Sequence, residues 1–166
     1  MKTIISLLIL AFTLTSAHAQ TEKETITYIQ KMLDAVKDIK TNSSGSEYVI
    51  KSLKIENDLD SGKIKMERYS KYAIRSYTNR TITWLDPSTI LRVEVIQDYT
   101  KDQIGHLRII TSRPSSLKEF NPDGTSAVVQ MSRAFIAFVN GNNNDKKLIN
   151  ALMHLKSLKQ KDPFDY

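Results

Sequence analysis

The chain is 166 residues long, with 24 basic and 18 acidic side chains, a net charge of +6 and no cysteine. Without thiols it can form no disulfide, no cysteine-ligated zinc site and no acylated cysteine, so its stability must come from a buried core. Five scattered glycines exclude a phosphate-cradling loop, and mild, interspersed charge with no RNP, finger or helix-turn-helix pattern argues against nucleic-acid binding.

The first residues read as a secretory leader. Lys2 is followed by the apolar run from Ile4 to Leu14 and then by Ala17-His18-Ala19, an A-x-A cleavage pattern. The run is shorter than the ~20 residues needed to span a bilayer. The expectation is a signal peptide over 1–19 and a single α+β domain over 20–166. Removing the leader takes only Lys2, leaving 23 basic against 18 acidic side chains. No second apolar run is long enough for a membrane anchor, so the expected protein is exported, periplasmic or extracellular, with no integral membrane segment.

A helix is expected from Thr21 to Ile39. Thr21 and Glu24 form a capping-box pair, and Ile26, Ile29, Leu33 and Val36 recur three or four apart. Thr41 to Ser46 is a loop by composition. Asn42-Ser43-Ser44 and Asn79-Arg80-Thr81 fit the glycosylation sequon, a pattern too common to indicate a glycan.

From Glu47 the period becomes that of strands. Glu47–Asn57 and Lys63–Ala73 flank Asp58-Leu59-Asp60-Ser61-Gly62, a hairpin turn whose spacing does not fit a calcium loop. Ile74–Tyr77 and Thr81–Leu85 continue the pattern until Asp86-Pro87-Ser88 breaks it. Thr89–Tyr99 resumes, with Leu91, Val93 and Val95 on one side and Arg92 and Glu94 on the other. His106–Ser112 follows, with Leu107 and Ile109 inward. Pro114 to Gly124 reads as the longest irregular piece, ending in the turn Asn121-Pro122-Asp123-Gly124. Thr125–Met131 and Arg133–Asn140 close the sheet; the latter is apolar on both faces and is expected to be central or helix-covered.

Asn142 to Lys161 is the second expected helix. Leu148, Leu152, Leu155 and Leu158 form its stripe, lysines fill the remaining faces, and the asparagine run offers an N-cap. It is expected to pack over the sheet. The sum is one helix, about seven antiparallel strands in a bent sheet or partly closed barrel, and one helix.

That order of elements resembles PH-like domains. Thr81-Ile-Thr-Trp-Leu-Asp-Pro-Ser-Thr-Ile-Leu-Arg-Val-Glu-Val95 looks like their strand–jog–strand passage. The tail, Leu148 to Leu158 with Lys161-Asp-Pro-Phe164, resembles small secreted proteins of Bacteroidota type. The resemblance implies a bent barrel plugged by the last helix, and the binding of lipids, peptides or proteins. A helix-wrapped antiparallel sheet of cystatin or NTF2-like type is the alternative architecture.

No catalytic constellation stands out. His106 and His154 have no metal-ligand spacing and are expected at the surface or its boundary. Ser115-Ser-Leu-Lys118 matches S-x-x-K, but in a stretch expected to be loop rather than helix. Trp84, Tyr69, Tyr72, Tyr77 and Tyr99 cluster on the middle strands, as sheet packing or as the lining of a ligand groove. The function expected is therefore a noncatalytic secreted module, without cofactor or metal. It would bind an apolar, peptide-like, lipid-like or protein partner in a groove beside the last helix. The alternatives are a small inhibitor or assembly protein acting through a strand edge, and a carboxylate-dependent hydrolase.

Overall fold

A computed structural model describes residues 21–43, 46–72, 78–96 and 103–160. The leader, Tyr77 and Tyr99 lie outside the described residues. Helix α1 (Glu22–Asp34) opens the described chain. Its capping box forms as the sequence implies: the Thr21 hydroxyl accepts from the Glu24 amide, and the Glu24 carboxylate accepts from the Thr21 amide at 2.7 Å. Strands β1 (Lys40–Ser43), β2 (Ser46–Asp58), β3 (Lys63–Tyr72) and β4 (Thr78–Leu85) follow, then a 3-10 turn over Pro87–Thr89. Strands β5 (Ile90–Val95), β6 (Ile104–Phe120) and β7 (Ser126–Val139) come next, and helix α2 (Asn144–Lys159) ends the described chain. The class is α+β, with an antiparallel, unclosed seven-stranded sheet and the last helix packed on it.

The long strand β6 is the sheet's hub. Its C-terminal part pairs with β4, its N-terminal part with β5, and β7 runs along its other edge. Strands β4 and β5 are thus one interrupted strand laid against β6. At the interruption Asp86 accepts from the Ser88 amide and hydroxyl, and Pro87 starts the 3-10 turn, where its missing N–H costs no ladder bond. Opposite it, β6 carries an irregularity between Ile110 and Ser115.

Three expectations change here. The stretch after Pro114 is strand rather than loop, because the proline sits in the bulge, where no ladder amide is required. The two closing strands are one continuous strand, β7, at the sheet edge rather than its centre; the C-terminal half is helix-covered, the other form that expectation allowed. Leu91, expected inward, is 58% exposed, because a register shift between Ile90 and Arg92 throws it out of the alternation.

Leu148, Ala151, Leu152 and Leu155 of α2 are buried in one core cluster with Ile26, Ile29, Leu33 and Val36 of α1 and with Leu107, Ile109, Ile136 and Phe138 of the sheet. The asparagine N-cap takes a different form from the one expected: Asn143 is left-handed without a side-chain cap bond, while the Asn144 side-chain Nδ2 donates to the Val139 carbonyl. Gly105 has a packing reason, since a methyl there would overlap the ring of Phe138, its cross-strand partner.

Helix α1 touches β2, β7 and α2. Gln30 fixes it to the edge of β2 beyond the short β1: its side-chain amide donates to the Leu53 carbonyl at 3.0 Å, and its oxygen accepts from the Ile55 amide at 2.8 Å. One glutamine thereby occupies the hydrogen-bonding positions of a missing strand. Replacing Gln30 by Ala should destabilise the fold by about 1–3 kcal/mol, the cost of part-buried backbone groups left unpaired. Urea unfolding, with the slope compared against the wild type, measures it.

Candidate functional site

The sheet encloses a hollow of about 360 Å³. Its lining follows from strand alternation. Leu53 of β2, Met66 and Arg68 of β3, Thr81 and Thr83 of β4, Ser115, Leu117 and Glu119 of β6, and Met131, Arg133, Phe135 and Ala137 of β7 all line it. Their registers place them on one continuous face: Leu53 pairs Arg68, Arg68 pairs Thr81, Thr81 pairs Glu119, and Leu117 pairs Val129. The apolar double face of β7 is thereby explained. Ile136 and Phe138 join the core cluster on one face; on the other Phe135 and Ala137 line the hollow, Ala137 itself being buried.

Curvature is demonstrated by one bond. The Tyr48 hydroxyl on β2 lies 3.0 Å from His106 Nε2 on β6, and both residues are buried. Two strands separate β2 from β6, so in a flat sheet the pair would stand about 14 Å apart laterally. The sheet must curl for them to meet. His106, expected at the surface, therefore sits at the end of the hollow as part of a cross-sheet clasp. The ring of Tyr48 also stacks obliquely on Tyr72, with centroids 5.5 Å apart.

The chemistry of the lining is mixed. Met66 and Leu53 are buried, and Arg68, half-buried among them, has no carboxylate within ion-pair distance among the described residues. The hydroxyl of Ser115 is buried and has no hydrogen-bond partner among the described residues. Two arginines, Arg68 and Arg133, face one carboxylate, Glu119. Among the described lining residues Glu119 is the single carboxylate, so they assemble no pair of acids of the kind glycoside chemistry needs. Among the described residues no group of three histidines, aspartates or glutamates is placed to hold a metal ion.

The aromatic candidates divide between the two faces. Tyr72 shares the face of Arg68, stacked on Tyr48. Tyr69 and Trp84 alternate to the opposite face and do not line the hollow. There Tyr69 joins a polar cluster: Arg80 lies over its ring at 5.4 Å and over Phe120 at 4.5 Å, and Arg80 Nε donates to Glu67 at 2.6 Å. The S-x-x-K match is separated the same way, since Ser115 faces the hollow and Lys118 lies over Phe120. The sequon at Asn79 falls within β4, with its side-chain oxygen buried, rather than in an exposed loop. Alternation in β6 and β7 was available as a signal for Met131, Arg133 and Leu117. Tyr48 and His106 had none, because their contact depends on curvature. No residue of α2 lines the hollow, so it does not lie beside the last helix.

Compared with protein-family models, curated proteins and solved structures, the chain matches none. Among the described residues no helix is long and apolar enough to cross a membrane.

Burial raises the Glu67 carboxyl, but hydrogen bonds from Arg80 and Tyr69 and the charges of Arg80 and Lys65 outweigh it, holding the group below its ordinary value of 4.5. The unfolded chain therefore takes up the proton first. Its stabilisation is present above the ordinary value and lost as pH falls through the folded one. Glu67→Gln should lower stability on the neutral plateau and flatten the acid limb, as read from urea midpoints from neutral pH down through the acid range.

Proposed function

We propose that this chain is an exported, noncatalytic binding module whose site is the hollow of the curled sheet. Its ligand is an apolar chain or apolar peptide segment ending in an anionic group. The observation that carries this reading is Arg68: a half-buried arginine, without a carboxylate partner among the described residues, lining the hollow beside Leu53 and Met66. A guanidinium there offers a planar fork to a carboxylate or phosphate, and desolvation strengthens the bond. Leu53, Met66, Leu117 and Met131 supply the apolar body of the site, with methionines adapting to irregular shapes. Arg133 at the exposed side adds positive charge, and the buried Ser115 hydroxyl offers one more polar contact. A volume of 360 Å³ falls within the range of about 300–1,000 Å³ usual for small-molecule sites.

The test is a melting-temperature and calorimetric comparison of a long-chain carboxylate with the alcohol of equal length. The carboxylate should bind more tightly. Arg68→Gln should weaken it roughly tenfold, the loss of about one charge-assisted hydrogen bond, and bring the two ligands together. Leu117→Trp should fill the hollow and weaken both. Equal binding of acid and alcohol to the wild type, or binding indifferent to Arg68→Gln, would refute the reading.

A further inference from the structure

We propose that two copies of this chain associate by pairing the Ser126–Ser132 edges of their β7 strands, antiparallel about a two-fold axis at Val129. Among the described residues the Ser126–Met131 part of β7 pairs only with β6, which leaves its other edge without a strand partner. Its N-terminal half is also exposed on both faces, with Val128 61% and Val129 46% accessible. Edge strands are ordinarily protected by charge, proline, bulges or a covering element. The β2 edge has such protection in Gln30. Ser126-Ala-Val-Val-Gln-Met-Ser132 has no charge and no proline, and no register shift interrupts the pairing of Ser126 to Met131 with β6.

A second copy is the occupant that this sequence fits. With Val129 on the axis, Ala127 faces Met131 of the second copy and Val128 faces its Gln130. Ser126 faces Ser132, so no like charges oppose each other and small residues meet larger ones. The same register places Arg133 opposite Thr125 of the second copy, beside its Asp123 in the hairpin turn. Asp123 accepts from the Thr125 amide and hydroxyl at 2.9 and 2.6 Å through one oxygen, Oδ1, leaving the other for a guanidinium. Within one copy, Asp123 and Arg133 lie at opposite ends of the exposed segment, so this attraction can form only between copies. Because Val129, Met131 and Arg133 share the face of the hollow, pairing would set the two hollows side by side on one continuous sheet. The inference stands on the strand edge alone and holds whatever the hollow binds.

Sedimentation velocity of the purified protein over a concentration series tests it. The expected result is a monomer–dimer equilibrium. Val129→Lys, which sets two lysines face to face on the axis, should weaken it roughly tenfold or more. Val128→Lys, on the other face of the same strand, should weaken it as well, and circular dichroism should show both variants folded. Arg133→Glu should weaken the dimer, and Asp123→Arg combined with Arg133→Glu should restore it. A chain monomeric at every concentration, or a dimer indifferent to both lysine substitutions, would overturn the proposal.

Discussion

One strand with two clients on the same edge constrains this molecule. β6 runs for 17 residues and must serve β4 with its C-terminal part and β5 with its N-terminal part. The break between those clients, Asp86 to Thr89, falls opposite the bulge between Ile110 and Ser115, since Trp84 pairs Ser116 and Ile90 pairs Thr111. Irregularities at one level in neighbouring strands form a corner, because a bulge bends its strand and increases local twist. Proline marks the corner on both strands, as Pro87 and Pro114, each where no ladder amide is needed. The corner allows β2 to approach β6 closely enough for Tyr48 to reach His106. Without that curl the lining residues would form a flat polar-apolar face open to solvent.

Curling a sheet without closing it leaves two edges, and the chain treats them differently. At β2 the edge is short of a partner beyond β1, and α1 fills the position through Gln30 while burying Ile29 and Leu33 in the core. At β7 the C-terminal part is backed by the core through Ile136 and Phe138, whereas the N-terminal part extends past it with β6 alone. The turn at the end of that extension is tightly built: Gly124 takes a left-handed conformation and the Asp123 carboxylate holds Thr125. A well-ordered hairpin with an uncommitted edge differs physically from a frayed one, because its backbone groups are already aligned for pairing.

Much of the architecture was legible because it rests on local signals. The capping box at Thr21 and Glu24, the leucine stripe from Leu148 to Leu155 and the turns at Asp58–Gly62 and Asn121–Gly124 are read within a few residues. So was the jog at Asp86-Pro87-Ser88, where the structure places the 3-10 turn. What was missed is non-local. Pro114 suggests a loop when taken alone and becomes tolerable only where the partner strand supplies a bulge. His106 looks like a boundary residue until curvature brings Tyr48 across the sheet. Tyr69 and Trp84 were grouped with Tyr72 by sequence proximity, yet alternation sends them to the opposite face. Composition identified aromatic strands, but parity along each strand decides which side chains face the hollow.

The double apolarity of β7 links these observations. A strand apolar on both faces ordinarily lies at the centre of a sheet, covered on each side. Here Ile136 and Phe138 are covered by the core, but Phe135, on the other face, is 41% exposed at the rim of the hollow. Further along, Val128 and Val129 are exposed on opposite faces. Apolar side chains kept at such positions lose the burial energy that would justify them in an isolated domain, roughly 25 cal/mol for each Å² left in water. Arg68, half-buried without a carboxylate partner among the described residues, carries the same mismatch with opposite polarity. Phe135, Val129 and Arg68 share the face of the hollow, where a bound partner would relieve both mismatches. That correspondence is why the proposed contacts are placed at the hollow and the adjoining edge rather than on the polar outer face, where Glu67 and Arg80 already satisfy each other.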